Sequence, residues 1–250
     1  MSGDKPFLSV VVPAYQEACR IGPTIQRIAD YLRGKPYGSE LILSDDGSTD
    51  GTVAVARDAA RAANAELTVV SAGVNRGKGH AVKIGLLAGS GRFRLFSDAD
   101  LSTPIEEADR LISSAQTYGA GLVIGSRALP ESELVVRQPW ARELGGRALN
   151  RFTRLVSRID CPDTQCGFKL LTEQASEQVL PLLTVTGFGF DVELVLVTLA
   201  LGFHVRQVPV TWADSRDSRV SPLADGMRTL RDVVRVRVNE LRGMYRTPRS

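Results

Sequence analysis

The sequence predicts an α/β protein with a mostly parallel, doubly wound sheet. In the first half of the chain, short apolar runs alternate with stretches of helical periodicity. Each apolar run ends in a polar or glycine-containing loop. The chain has 250 residues, of which 43% are hydrophobic and 24% charged, so it can bury a sizeable core. Alternating strands and helices indicate right-handed βαβ units whose sheet is covered on both faces.

Five apolar runs predict the strands of this sheet, and they are Leu8–Val12, Glu40–Leu43, Leu67–Val70, Phe93–Phe96 and Leu122–Ile124. The helix after the first strand is predicted by Ile21, Ile25, Ile28 and Leu32, which recur at helical spacing. The helices that follow are predicted at Thr52–Ala63, Ala81–Ala88 and Ile105–Tyr118. The first of these three is rich in alanine, the strongest helix former.

The second half of the chain has a different pattern, which predicts a C-terminal extension of the sheet domain. In order, the predicted elements are a loop with Pro130 and Pro139, a basic helix near Ala141–Ser157, a turn at Cys161–Gly167, a helix near Asp191–Leu201, a strand near Val205–Val210 and a basic helix near Leu223–Arg242. We expect one domain over residues 1–222, with halves at about 7–127 and 128–222. A basic helix and tail then occupy residues 223–250.

Charge is distributed unevenly along the chain. The formal net charge is only +3, but six arginines and one glutamate lie between Arg137 and Arg158. Seven arginines and two acidic residues lie between Arg228 and the C-terminus. The remainder of the chain is therefore acidic, and the two basic segments need an explanation of their own.

Cysteine usage and hydropathy exclude two classes of protein. The three cysteines, Cys19, Cys161 and Cys166, are odd in number and lack zinc-site spacing, which favours a reduced, cytoplasmic setting. The run Leu8–Val12 is too short for a signal peptide, and Leu194–Leu201 is too short for a bilayer span of about 20 residues. We expect a protein that is soluble or lies on a membrane surface.

The loops after the five strands are all polar, and parallel strands bring such loops to one edge of the sheet. Asp98 and Asp100 are two residues apart in extended chain, so both side chains project to the same side. Paired carboxylates suit Mg²⁺ or Mn²⁺, with phosphate oxygens completing the coordination shell. The alternative is helix capping, in which Asp100, Ser102 or Thr103 caps the helix that begins near Pro104.

Two further loops carry candidate binding residues. Residues 75–79 form a glycine-rich basic loop whose backbone N–H groups and Lys78 suit a diphosphate, although the loop is neither a P-loop nor a dinucleotide fingerprint. Asp45 and Asp46 precede a turn, and two adjacent aspartates exceed what a turn and a helix cap need. We expect one of them to accept from a nucleobase or a ribose hydroxyl, the alternative being a purely structural turn.

These motifs together resemble those of family 2 nucleotide-sugar glycosyltransferases, which have a Rossmann-like A-type fold. The matching segments are 10–17, 45–50, 75–79, 98–100, 125–127 and 163–169, in family order and spacing. The resemblance covers roughly residues 8–212 and is closest to the polyprenyl- and dolichyl-phosphate glycosyltransferases, especially the glucosyl branch. It implies that the halves 7–127 and 128–222 hold the nucleotide sugar and the acceptor, respectively.

The resemblance also implies roles for individual residues. Asp98 and Asp100 bind the metal and take part in catalysis, and Lys78 binds the diphosphate. The complete expected nucleotide-sugar set is Pro13, Tyr15, Glu17, Asp45, Asp46, Arg76, Lys78 and Asp98. The expected acceptor-phosphate set is Arg127, Arg142 and Lys169. Two positions depart from the family pattern, because Ser102 is a weaker metal ligand than the usual amide and Gly146 replaces an acceptor-side serine.

The chemistry of the acceptor decides whether a general base is needed. A polyprenyl phosphate has a second pKa near 6, so it is largely a dianion at neutral pH and attacks without a strong base. A sugar hydroxyl needs a base, and Asp163 and Asp191 are then the candidates. Asp191 also suits a structural role at the start of its helix.

The two basic helices have apolar residues at helical spacing. In the first they are Leu144, Ala148, Leu149, Phe152, Leu155, Val156 and Ile159, and in the second Leu223, Met227, Leu230, Val234, Val238 and Leu241. Such helices either lie on an anionic membrane surface or pack their apolar stripe on the core. Nucleic-acid binding would leave the strand-end acids unexplained.

We therefore expect an inverting, metal-dependent hexosyltransferase. Its donor would be a nucleoside diphosphate sugar, with UDP-glucose first, and its acceptor polyprenyl or dolichyl phosphate at the cytoplasmic face of a membrane, with an integral membrane partner as a further option. The alternatives are a GDP-mannose or UDP-N-acetylhexosamine donor, a soluble acceptor, or a non-catalytic nucleotide-sugar-binding protein. The sequence leaves the oligomeric state open.

Overall fold

A computed structural model of the protein describes residues 5–136, 150–213 and 222–245. In this part of the chain the strands are β1 (Leu8–Ala14), β2 (Ser39–Asp45), β3 (Leu67–Ser71), β4 (Phe93–Ser97), β5 (Leu122–Ser126), β6 (Glu133–Val136), β7 (Phe168–Thr172), β8 (Val205–Pro209) and β9 (Thr211–Ala213). The helices are α1 (Ile21–Arg33), α2 (Thr52–Ala62), α3 (Lys78–Ala88), α4 (Ala108–Tyr118), α5 (150–157), α6 (Glu173–Val179), α7 (Phe190–Ala200) and α8 (Pro222–Leu241). Short 3₁₀ helices lie at Ile105–Glu107 and Leu180–Leu182.

Seven strands form the main sheet in the order β3-β2-β1-β4-β7-β5-β8. All neighbours are parallel except around β7, which runs antiparallel to both β4 and β5. The expected mostly parallel α/β sheet is therefore confirmed. The predicted turn at Cys161–Gly167 leads directly into β7, a strand that the sequence analysis did not predict.

The sheet separates two apolar layers, because successive side chains of a strand point to opposite faces. In β1, Val10 and Val12 belong to the layer covered by α1, α2 and α4, whereas Val11 belongs to the layer that contains α3 and α7. Helix α7 is buried on all sides over most of its length, since it lies between the sheet and α8. A helix that is buried on every side, here with Asp191 and Glu193 among its buried residues, belongs to the interior of the protein.

Several predicted boundaries differ slightly from the observed ones. Helix α3 begins at Lys78, three residues before the predicted start, so the glycine-rich loop leads directly into its first turn. The predicted basic helix over Ala141–Ser157 is confirmed for residues 150–157, and its earlier part lies outside the described residues. No described helix has the length and hydrophobicity needed to cross a bilayer.

Candidate active site

The loops after β1, β2 and β3 are joined by hydrogen bonds to two buried aspartates. Asp45 accepts hydrogen bonds from the backbone N–H groups of Gly47 and Ser48, at 3.2 and 3.1 Å. Asp46 accepts from the backbone N–H groups of Arg76 and Gly77, at 3.0 and 2.8 Å. Both side chains are almost completely buried.

This geometry favours the structural alternative for Asp45 and Asp46. Each carboxylate fixes a loop, and Asp46 connects the loop after β2 to the loop that carries Lys78. We expected one of these two carboxylates to be free to bind a nucleobase or a ribose, and this geometry does not favour that role. Their contribution to a nucleotide site is to hold the loops in place.

The first loop carries Tyr15 at the rim of the site. Tyr15 is 43% exposed, whereas Pro13 is buried under the loop. Gln16 has a positive φ of 57°, and its side-chain oxygen accepts from the backbone N–H groups of Thr49 and Asp50, at 3.1 and 3.0 Å. This connection between the first two loops was not predicted from sequence.

Asp98 and Asp100 follow β4, as predicted, and the side chain of Lys78 contacts Asp98. The Lys78 ammonium lies 2.7 Å from Asp98 Oδ1. Burial alone would lower the pKa of Lys78, but the charges of Asp98, Asp191 and Asp100 outweigh this effect and raise the pKa. Asp100 accepts a 3.0 Å hydrogen bond from the backbone N–H of Ser102. The structure thus brings a permanent cation to the acidic pair.

Gly167 keeps space beside the acidic pair. The Asp98 backbone N–H donates to the Gly167 carbonyl at 3.0 Å, and a Cβ atom on Gly167 would overlap the Asp98 carboxylate. Because carboxylate oxygens are the ligands that Mg²⁺ and Mn²⁺ prefer, the pair offers the donor atoms that a divalent cation needs, with Asp98 Oδ1 here paired with Lys78. Two carboxylates leave the remaining coordination positions for diphosphate oxygens and water.

Arg20 is a site residue that the sequence analysis missed. Its guanidinium donates a hydrogen bond to the Glu17 carboxylate. This hydrogen bond raises the pKa of Arg20, and the negative charges of Glu17, Asp100 and Asp98 raise it further, whereas burial alone would lower it. A second cation therefore faces the acidic pair from the start of α1. Arg20 lies directly before α1 and outside the matched motif segments, the first of which ends at residue 17, so the sequence analysis had no signal for it.

Arg127 and Asp163 form a bidentate ion pair. Arg127 Nε lies 2.7 Å from Asp163 Oδ2, and Nη2 lies 2.9 Å from Oδ1. Burial would raise the pKa of Asp163, but the Arg127 charge and hydrogen bonds lower it. The ion pair does not favour Asp163 as the general base that a hydroxyl acceptor would need, so that role stays a prediction.

Lys169 and Asp191 form a second ion pair, inside the core. The Lys169 side chain is completely buried, contacts Asp191, and donates a 2.6 Å hydrogen bond to the Cys166 carbonyl. The expectation that Lys169 binds the acceptor phosphate stays a prediction, and this geometry does not favour it, because the ammonium is buried and paired with Asp191. Burial raises the pKa of Asp191 while Lys169 and Lys78 oppose the shift. Asp191 is occupied by its partner and does not present a free carboxylate.

Two arginines of the expected site remain. Arg76 is exposed beside Lys78, with its backbone N–H held by Asp46. Arg142 lies outside the described residues, so its assignment to the acceptor phosphate stays a prediction. Of the expected acceptor set, Arg127 is the residue that the structure places at the carboxyl edge of the sheet, directly after β5.

Comparison with known proteins decides the family. Residues 9–180 match the family described as Glycosyl transferase family 2. The chain belongs to this family. Dolichyl-phosphate beta-glucosyltransferase of Drosophila melanogaster is 32% identical over 96% of this chain and 77% of its own length. The enzyme of the same description from Dictyostelium discoideum is 30% identical over 97% and 77%, respectively.

Solved structures agree with this assignment of family and fold. Glucosyl-3-phosphoglycerate synthase of Mycobacterium tuberculosis, in complex with phosphoglyceric acid, matches with a TM-score of 0.69 and 25% identity, covering 92% of this chain and 80% of the other. A further structure of that enzyme, with a TM-score of 0.67 and 25% identity, contains Mn²⁺, UDP and phosphoglyceric acid and covers 98% and 80%. The family 2 chain described here is thus a glycosyltransferase with the A-type fold.

Proposed function

We propose that this protein transfers glucose from UDP-glucose to a polyprenyl phosphate of the dolichyl phosphate type, with inversion at the anomeric carbon. The relatives named dolichyl-phosphate beta-glucosyltransferase support this acceptor and product. The observation that carries the proposal is that both candidate bases are held in ion pairs, Asp163 by Arg127 and Asp191 by Lys169. A site without a free base suits an acceptor that is already ionised, as a phosphate is.

On the donor side, the residues of this chain bind and neutralise the diphosphate. Asp98 and Asp100 would hold Mg²⁺ or Mn²⁺, which supplies charge neutralisation for the departing diphosphate when bound. Lys78 adds a fixed positive charge at the same edge, and its raised pKa keeps it protonated at neutral pH. Because these charges are positioned before the reaction begins, they stabilise the developing diphosphate charge without reorganisation.

On the acceptor side, an oxygen of the polyprenyl phosphate attacks the anomeric carbon of glucose. The new bond joins this oxygen to the anomeric carbon, and the bond from the anomeric carbon to the UDP oxygen breaks with its electron pair leaving on UDP. Arg127 orients the attacking phosphate, and Asp163 holds the Arg127 guanidinium in place. No proton transfer is required from the protein.

The acceptor is a membrane lipid, so the reaction takes place at a membrane, and we place it on the cytoplasmic face. Nucleoside diphosphate sugars and reduced cysteines both belong to that compartment. The free cysteines Cys19, Cys161 and Cys166 agree with this location.

Product formation tests the proposal directly. Purified protein is incubated with Mn²⁺ or Mg²⁺, a short polyprenyl phosphate in detergent, and in turn UDP-glucose, UDP-N-acetylglucosamine and GDP-mannose. Mass spectrometry of the lipid should show a hexosyl phosphate from UDP-glucose alone. Asp98→Asn should abolish the product, whereas Asp58→Asn, the same change at an exposed site on α2, should not. Donor binding without turnover would instead indicate a non-catalytic protein.

A soluble acceptor is the second candidate, because a structural neighbour is a glucosyl-3-phosphoglycerate synthase with a TM-score of 0.69. The same assay with 3-phosphoglycerate in place of the lipid separates the two. Glucose transfer to phosphoglycerate without transfer to the lipid would overturn the proposed acceptor.

A further inference from the structure

Helix α8 has two apolar faces, and only one of them packs on the protein. Val233 and Val236 are fully buried against the layer that contains α7. The other face carries Met227, Val234 and Leu241, which are 72%, 45% and 72% exposed. The apolar stripe predicted from sequence therefore lies mostly on the exposed side, and the alternative that this stripe packs on the core is wrong for the part described.

The exposed face is also basic. Arg231, Arg235 and Arg242 are exposed, and they lie beside the apolar stripe at helical spacing. Leu199, at the end of α7, is 45% exposed and lines the crevice between α7 and α8. On the adjoining α5, Leu155 is 77% exposed and Arg154 is exposed as well. The surface thus continues across three helices with the same mixture of apolar and positively charged side chains.

We propose that the outer face of α8, defined by Met227, Val234, Val238 and Leu241 with Arg231, Arg235 and Arg242, docks on an anionic lipid bilayer. A helix with one apolar stripe and adjacent arginines lies in the plane of a bilayer surface, with its apolar side chains among the acyl chains. The arginines contact the anionic headgroups. This inference rests on the proposed function, which requires a lipid acceptor at a membrane.

Charge complementarity favours a bilayer over a second copy of the chain. An isologous contact between two α8 helices would bring the same arginines face to face. The positive charges of the two sets of arginines would repel each other, whereas an anionic bilayer would neutralise them.

The inner side of α8 places this surface next to the donor site. Asp232 packs directly on Gly189, because a Cβ atom added at Gly189 would lie 2.2 Å from the Asp232 Cβ. The loop that contains Gly189 also contacts the glycine-rich loop, since the His80 N–H donates to the Thr186 carbonyl at 3.2 Å. A docked α8 would therefore hold the Lys78 edge of the sheet close to the lipid surface.

Vesicle co-sedimentation of the full chain, without substrates, tests the surface. We expect binding to vesicles of phosphatidylcholine with about one-third phosphatidylglycerol, weakening as salt rises, and little binding to phosphatidylcholine alone. The double variant Val234→Glu with Leu241→Glu should bind at least about tenfold more weakly. Leu87→Glu, the same kind of change at a 44% exposed leucine on α3, should bind like the wild type.

Transfer to polyprenyl phosphate in detergent, measured on the same proteins, separates this inference from the proposed function. The double variant should keep wild-type transfer in detergent and lose it on vesicles. If the wild-type protein transfers glucose in detergent but does not bind anionic vesicles, the proposed docking surface is wrong and the proposed function is unaffected. The docking surface would also be wrong if the wild-type protein forms a dimer that the double variant does not form, and does not bind vesicles. Vesicle binding without transfer would leave the surface standing and overturn the function.

Discussion

The contact between Gly167 and the Asp98 carboxylate leads to a residue-scale prediction. A methyl group at position 167 would overlap that carboxylate, so Gly167→Ala must displace Asp98 from the acidic pair. We expect Mn²⁺-dependent UDP binding to weaken by at least about tenfold, or roughly 1.4 kcal/mol. Isothermal titration calorimetry measures this change. Gly226→Ala, at a helical glycine with open space around its Cβ position, is the control and should bind UDP normally.

The buried pair of Lys169 and Asp191 predicts a loss of stability. Lys169→Met leaves the Asp191 carboxylate buried without its cation, which costs about 3–5 kcal/mol of unfolding free energy. The double variant that combines Lys169→Met with Asp191→Leu removes both charges and should recover much of this loss. Urea unfolding of the wild type and the two variants gives the comparison. Equal stability of the single variant and the wild type would contradict the structural role.

Asp163 predicts a dependence of stability on pH. Its pKa is lowered in the folded protein, so its ionised form stabilises the fold above its unfolded pKa of about 3.9. That contribution is lost as the pH falls through the lowered folded pKa. The difference in Tm between wild type and Asp163→Asn should therefore be largest at neutral pH and shrink below about pH 4. A difference that stays constant across this range would argue against the ion pair.

The individual residues show how far the sequence could predict the site. Asp98, Asp100 and Lys78 were predicted because parallel strands bring their following loops to one edge, whatever the other contacts are. The burial of Lys169 could not be foreseen, because it depends on a pairing with Asp191, 22 residues away, that no local pattern encodes. For Asp46 the reason is the same, since its partners are the backbone N–H groups of Arg76 and Gly77 in another loop, whereas Asp45 binds the local N–H groups of Gly47 and Ser48.

At the scale of elements, α8 connects the donor site to the outer surface through Asp232. Asp232→Ala removes the carboxylate that packs against Gly187 and Gly189, and this loosens the loop that contacts the start of α3. We expect the KM for UDP-glucose to rise several-fold in detergent, with a smaller change in kcat, because the donor loop is displaced rather than the reacting groups. Asp58→Ala, on an exposed part of α2, is the control.

The elements also show the limit of local patterns. Periodicity located β1 to β5 and α7, whose apolar runs are long or regular. It missed β7 because Lys169 interrupts the apolar run of Phe168–Thr172 and because β7 pairs with β4 across a long stretch of intervening chain. The two faces of α8 could not be separated either, since apolar residues occur on both and only the packing against α7 distinguishes them.

The whole molecule should unfold as one unit. Strand β7 comes from the second half of the chain and lies between β4 and β5 of the first half, so neither half has a complete sheet alone. We expect urea unfolding followed by far-UV circular dichroism to coincide with unfolding followed by tryptophan fluorescence, which reports on Trp140 and Trp212 of the second half. Two separate transitions would show that the halves are independent.

The position of β7 also affects how the chain acquires its structure during synthesis. The ribosome completes all the donor motifs, from the first loop to Asp100, well before it reaches Gly167 and β7. Until then β4 has one open edge, and β5 is without the strand that pairs it to β4. N-terminal segments usually fold first during translation, but here the loop that shapes the acidic pair arrives late. A nascent chain therefore carries all the motifs of the proposed donor site before that site is finished, and the site is completed only when the second half of the chain has emerged.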